Sequence, residues 1–128
     1  MFLDTNIIVD IFRYDEESKK FQKIFELIEN EPLFISVFQI GEISDWSLLN
    51  KIDPAEPIEF LKKTVNIIPL SEDICIEASE IKYKTRKEGE KKFSLADGII
   101  LASARSINQT LLTRDGDFNR LKDVVLLE

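Results

Sequence analysis

Four carboxylates stand at positions where a solvated acid is not expected. Asp4 directly follows the apolar Met1–Leu3 and is itself followed by Thr5 and Asn6. Glu42 shares a helical stripe with Phe38, Trp46 and Leu49 if the chain turns about 100° per residue. Asp97 falls beside Ile100, Leu101 and Ala104 in the same geometry. Asp115 follows Thr110–Thr113 in the run Thr113-Arg-Asp115-Gly-Asp117-Phe118. Carboxylates among apolar groups are rare unless they are paired or bound to metal. Each also has an ordinary explanation when taken alone. Asp4 can cap a helix, and Glu42 can sit at the rim of its apolar face and reach water. Ser94-Leu-Ala-Asp97 has the form of a capping box with Asp in place of Glu or Gln. Asp115 or Asp117 can serve a turn. A calcium loop fits Asp115-Gly-Asp117 poorly, because Leu126 stands where the final Glu is needed.

The elements that must position these acids can be read from periodicity. Met1–Leu3, Leu33–Ile35, Val65–Ile68, Leu111–Leu112 and Val124–Leu127 are short apolar runs of the kind found in buried strands. Between them lie helical patterns over Asn6–Phe12, Ser18–Glu29, Ser36–Asn50, Pro57–Lys63, Glu72–Lys87 and Ser94–Ile107, several opened by a serine cap. Strands alternating with helices predict an α/β fold, a parallel sheet flanked by helices, in one domain over residues 1–128. In such a sheet all strands end at one edge. Asp4 and Asp115 follow strand ends, Glu42 lies in the second turn of the helix after Leu33–Ile35, and Asp97 lies in the first turn of its helix. All four are therefore expected at the carboxyl edge, where open α/β sheets place ligands. Each like-charge contact there costs roughly 1 kcal/mol in water and about 4 kcal/mol in a shielded site. Either the pKa values rise or a hard cation sits among the acids. With oxygen ligands alone, that cation is Mg²⁺ or Mn²⁺, the usual apparatus for phosphodiester hydrolysis.

Composition removes the competing chemistries. The 128 residues contain no histidine and one cysteine, Cys75. Ser-His-Asp and Cys-His catalysis, histidine metal sites, four-cysteine zinc sites and intrachain disulfides are all excluded. The four glycines are too scattered for a phosphate-binding loop. No apolar run is long enough to cross a bilayer, and the first residues do not resemble a signal peptide, so a cytoplasmic protein without membrane contact is expected. Seventeen basic residues against 24 acidic ones give a net charge of −7, which repels nucleic acid on average. The segment Lys82–Lys92 is an exception. It holds Lys82, Lys84, Arg86, Lys87, Lys91 and Lys92 against Glu88 and Glu90, and it leads directly into the Asp97 helix. A run like this is often only a solvated helix end. Beside an acidic site, Lys84, Arg86, Lys87, Lys91 and Lys92, with Arg114, become candidates for contacting phosphates.

Taken together, Leu3-Asp4-Thr5-Asn6, Glu42, Ser94-Leu-Ala-Asp97-Gly-Ile-Ile-Leu-Ala102 and Leu111-Leu-Thr-Arg-Asp115-Gly-Asp117-Phe118 resemble the PIN domain family, and within it the VapC-type toxins of toxin–antitoxin systems. The resemblance spans essentially the whole chain. It implies a Mg²⁺- or Mn²⁺-dependent endoribonuclease with Asp4, Glu42, Asp97 and Asp115 in the catalytic metal positions. It further implies Asn6 and Thr113 as hydrogen-bonding supports, Asp117 as a supporting ligand, a homodimer, and a cognate antitoxin as partner. Two other readings compete. A Toprim-like or haloacid-dehalogenase-like phosphoester hydrolase would need a Glu, or an Asp-x-Asp, where this chain has Asp4-Thr5-Asn6. A non-catalytic module would use the acid cluster only to receive a basic peptide.

Overall fold

A computed structural model describes all 128 residues. Five parallel strands form one sheet in the order β3-β2-β1-β4-β5: β1 (Phe2–Leu3), β2 (Phe34–Ser36), β3 (Asn66–Ile68), β4 (Leu111–Thr113) and β5 (Val124–Leu126). Six helices join them: α1 (Thr5–Arg13), α2 (Lys19–Ile28), α3 (Val37–Leu49), α4 (Ala55–Thr64), α5 (Glu72–Lys87) and α6 (Leu95–Ser106). A 3₁₀ turn covers Gly116–Phe118. The α/β class and every expected element are present, with ends shifted by a few residues.

Strand alternation divides the core into two layers, because successive side chains leave opposite faces of a sheet. Leu3 and Leu112 pack with Ile7, Ile8, Ile24, Ile35, Ile43 and Leu61, beneath α1 to α4. Phe2 and Leu111 pack with Phe93, Ile100, Leu101, Ala104 and Phe118, beneath α6. α5 lies on α6 through Ile74, Ala78, Ile99 and Ala102. Gly98 permits that approach: a Cβ there would lie 2.4 Å from the Ala78 carbonyl oxygen.

One stripe differs from expectation. Leu49 is 84% exposed, and the buried residues of α3 are Gln39, Ile43 and Ser47. The inward face is centred one residue beyond the Phe38–Glu42–Trp46–Leu49 line, leaving Glu42 half-buried at its flank. Half-burial still keeps a carboxylate partly out of water, which is the property that matters below.

Candidate active site

Neighbouring strands and their register build the centre of the site. β1 pairs with β4 with Leu3 opposite Leu112, and the Asp4 amide donates to the Leu112 carbonyl at 2.9 Å. The next residue along each strand is therefore Asp4 and Thr113. The Thr113 hydroxyl donates to Asp4 Oδ2 at 2.6 Å, and both residues are buried. The same hydroxyl accepts from the Asp115 amide at 3.0 Å and from Asn6 Nδ2 at 3.3 Å. Asn6 Nδ2 also lies 3.3 Å from Asp4 Oδ2, and Asn6 Oδ1 accepts from the Arg114 amide. Asn6 and Thr113 thus tie the ends of β1 and β4 together.

Helix capping fixes the remaining acids. Asp4 caps α1 by accepting from the Thr5 amide at 2.7 Å. Asp97 closes the capping box with Ser94, its Oδ2 accepting from the Ser94 amide at 2.9 Å. Asp115 caps the 3₁₀ turn, its Oδ1 accepting from the Asp117 amide at 2.9 Å. The ordinary cap readings are therefore correct for three of the four residues. Capping does not exhaust them, since a carboxylate has two oxygens with two lone pairs each. Oδ1 of Asp97, Oδ2 of Asp115 and Oε2 of Glu42 have no protein donor.

Glu42 is held through Thr5 by a relay whose second member, Gln39, lies outside the quoted motifs. Its Oε1 accepts from the Thr5 hydroxyl at 2.6 Å, and that hydroxyl accepts from Gln39 Nε2 at 3.2 Å. Gln39, fully buried, also donates to the Leu3 carbonyl and accepts from the Ser36 amide. The signal for it was present: Ser36-Val-Phe-Gln39 is a capping box in the sequence, directly following a strand.

The carboxyl groups sense one another. Burial pushes Asp4 up to about 6 against the opposing hydrogen bonds from Thr113 and Thr5, and the charges of Asp97 and Glu42 add to the rise. Glu42 is raised by burial and by the charges of Asp97 and Asp45, against its bond from Thr5. Asp97 is raised by burial, with Asp115 and Asp117 adding to it, against its bonds from Ser94. Asp97 is thus the hub, coupled to Asp4, Glu42, Asp115 and Asp117. The site is not a closed cage, because no three carboxylates lie within common reach of one ion. An all-oxygen set with a spare oxygen on each of three acids still fits a hard cation that keeps several waters, as Mg²⁺ does.

The basic candidates fall in two places. Lys82, Arg86, Lys87 and Lys91 line one groove with Leu95, at the start of α6; Lys84 lies on the adjoining face and Lys92 is exposed. Arg86 Nε donates to the Phe93 carbonyl, and Lys91 Nζ to the Arg86 carbonyl, so these two also brace the turn before Asp97. Arg114 lies across the site. Its Nε and Nη2 both bond the Asp10 carboxylate, which is 3% exposed.

Residues 1–124 match the PIN domain family model. The chain belongs to the PIN domain family. A chain of a toxin–antitoxin complex from Klebsiella pneumoniae is similar to this PIN domain with a TM-score of 0.76 and 25% identity, over 97% of this chain and 94% of that one. VapBC2 from Rickettsia felis, bound to a fragment of its promoter DNA, matches with a TM-score of 0.73 and 21% identity, over 98% and 96%. VapC20 from Mycobacterium tuberculosis, a sarcin-ricin loop cleaving toxin, matches with a TM-score of 0.68 and 20% identity, over 94% of each chain. At these last two identities the likeness is one of fold. No curated protein sequence matches the chain. None of its helices is long and apolar enough to cross a membrane.

Proposed function

We propose that this PIN domain is an endoribonuclease that hydrolyses RNA phosphodiester bonds with Mg²⁺ or Mn²⁺ at its acidic edge, and that it is the toxin of a toxin–antitoxin pair. The observation that supports the chemistry is the placing of Asp4, Glu42, Asp97 and Asp115 at the carboxyl edge around the switch between β1 and β4, with Glu42, Asp97 and Asp115 each keeping an oxygen that no protein group donates to. Among Asp4, Glu42, Asp97 and Asp115 no more than two would touch one ion directly as the side chains stand, the others, with Asp117, reaching it through the waters it keeps. An ion bound there would offset the clustered negative charge and would supply an activated water for attack on phosphorus. Thr113 and Asn6 hold the Asp4 carboxylate in place, and Thr5 holds Glu42, so neither acid reorganises when RNA arrives. The Ser94 cap keeps one oxygen of Asp97 engaged and the other free.

The toxin role is supported by the Klebsiella relative and by an apolar groove between α1, α2 and α4. That groove includes Phe12, Phe21, Phe25 and Phe60, of which Phe25 and Phe60 are each 48% exposed. It suits the apolar side of an antitoxin segment. A homodimer in the cytoplasm completes the reading.

The decisive experiment is RNA cleavage in Mg²⁺ or Mn²⁺ by the wild type and by Asp97→Asn. The amide keeps an acceptor for the Ser94 cap, so the variant is expected to fold and to lose at least about 100-fold in rate. Equal activity of the two proteins, or a wild type inert with both metals on several RNAs, overturns the assignment.

A further inference from the structure

Beside the acidic edge lies a second site with the opposite character. Arg114 separates Thr113 from Asp115, and its amide bonds Asn6, so its backbone belongs to the acidic site. Its side chain leaves that site and enters a cavity of about 270 Å³ between α1, α2 and the end of the chain. Lys19, Lys20 and Lys23 line the cavity with it, as do Asp10 and Glu128. Four cationic side chains stand against the Asp10 and Glu128 side chains and the terminal carboxylate of Glu128, which leaves a net charge of about +1 in a chain whose net charge is −7.

Two features equip the cavity to take an anion. The first is the guanidinium. Buried Asp10 engages Nε and Nη2 in a bidentate pair and fixes the plane of the group. A guanidinium has five N–H donors. The remaining three, two of them on Nη1, have no protein acceptor. The second is the lysines. Lys19, Lys20 and Lys23 are exposed and, like most basic residues of this chain, form no ion pair, so their ammonium groups are open to a ligand. Lys20 reaches only the Tyr14 hydroxyl, at 3.2 Å.

We infer that the cavity of Arg114, Lys19, Lys20 and Lys23 binds backbone phosphates of the RNA strand as it leaves the acidic edge. This rests on the ribonuclease reading above. The Lys82–Lys91 groove lies beside the start of α6, and Arg114 lies at the end of β4. A strand crossing the carboxylates therefore meets cations on both flanks. Asp10 acts as a positioning residue, aiming the guanidinium rather than touching RNA.

The test is anisotropy of a fluorescent single-stranded oligoribonucleotide in Mg²⁺, with every protein carrying Asp97→Asn so that the RNA survives. Lys19→Gln/Lys20→Gln/Lys23→Gln is expected to weaken binding roughly ten-fold or more near 0.1 M salt. Removing three phosphate-binding cations should also reduce the slope of log affinity against log salt by about 2. Lys51→Gln/Lys62→Gln/Lys63→Gln removes the same charge away from the cavity and is expected to stay within about two-fold of the unsubstituted lysines. If both triple variants bind RNA alike while the protein with Asp97 intact still cuts RNA, the cavity assignment is overturned and the ribonuclease reading stands. A loss seen only on duplex DNA or on an acidic peptide also overturns it. If the protein with Asp97 intact neither binds nor cuts RNA, both readings fall together.

Discussion

Asp4 accepts three hydrogen bonds, yet burial still pushes it up to about 6. Taking the carboxylate out of water outweighs the donors that compensate it. The consequence for stability has a definite sign. The folded protein binds a proton on Asp4 more tightly than the unfolded chain does, so ionising Asp4 opposes folding. Its contribution, on the order of 3 kcal/mol, is present below about pH 4 and is lost as pH rises toward 6. Glu42 and Asp97 are raised as well and act in the same direction. In EDTA, the melting temperature is expected to fall between pH 4 and 6 in wild type and to fall less steeply in Asp4→Asn. Mg²⁺ or Mn²⁺ should restore stability above pH 6 by binding the ionised form. Calorimetry across that range, with and without metal, checks both; parallel pH slopes in the two proteins would contradict the first. Thr113 provides a second check. Thr113→Val leaves Asp4 Oδ2 and the Asp115 amide short of a partner and should cost about 1–3 kcal/mol, with a loss of RNA cleavage that Thr113→Ser rescues. The acids were legible as residues because each is a carboxylate beside apolar neighbours. Thr113 was reached only through the family resemblance, since nothing in Thr113 itself shows which residue stands opposite it.

Among the elements, strand–helix alternation was readable and its three-dimensional pairing was not. β1 and β4 are more than 100 residues apart in the chain, and the pairing of Leu3 with Leu112 arises only when the sheet assembles. The position of Asp97 depends on a similar long-range approach. Gly98 brings α6 onto α5 so closely that a methyl group would meet the Ala78 carbonyl oxygen at 2.4 Å. Both partners there are helical backbone, so neither yields by rotating a side chain. Gly98→Ala should push α6 away and cost about 1–3 kcal/mol despite the better helix propensity of alanine. Because Asp97 is the adjacent residue, RNA cleavage is expected to fall by more than the unfolded fraction explains. Denaturant melts together with activity per folded molecule distinguish the two effects; a stabilised, fully active variant contradicts this account of the packing. The rim position of Glu42 was harder to read for a related reason. A stripe at 100° per residue locates an apolar face to within about one residue, and in α3 that margin separates exposed Leu49 from buried Ile43.

Over the whole molecule, the proposed cutting of an acidic polymer by an acidic protein requires charge to be arranged rather than balanced. The carboxylates gather at the β1–β4 edge, the Lys82–Lys91 groove lies beside α6, and the Arg114 cavity lies beyond β4. The first basic surface could be read from a run in the sequence. The second could not, because Lys19, Lys20 and Lys23 reach Arg114 only through the packing of α2 near α1 and the chain end. If both surfaces hold one RNA strand, each should add separately to the salt dependence of cleavage, by about 0.7 in log–log slope for every phosphate that its cations neutralise. Lys84→Gln/Lys87→Gln/Lys91→Gln should therefore lower kcat/KM and flatten its salt dependence without changing the metal requirement. Combining it with the Lys19/Lys20/Lys23 substitutions should give effects that add as free energies, since the two sets lie apart and have no partner in common. Measuring kcat/KM from roughly 50 to 200 mM salt in the four proteins decides the matter, as binding several phosphates produces a steep dependence in that range. A combined variant no worse than the weaker single set would mean that the strand uses one surface or the other, and that the acidic edge is approached from one side only.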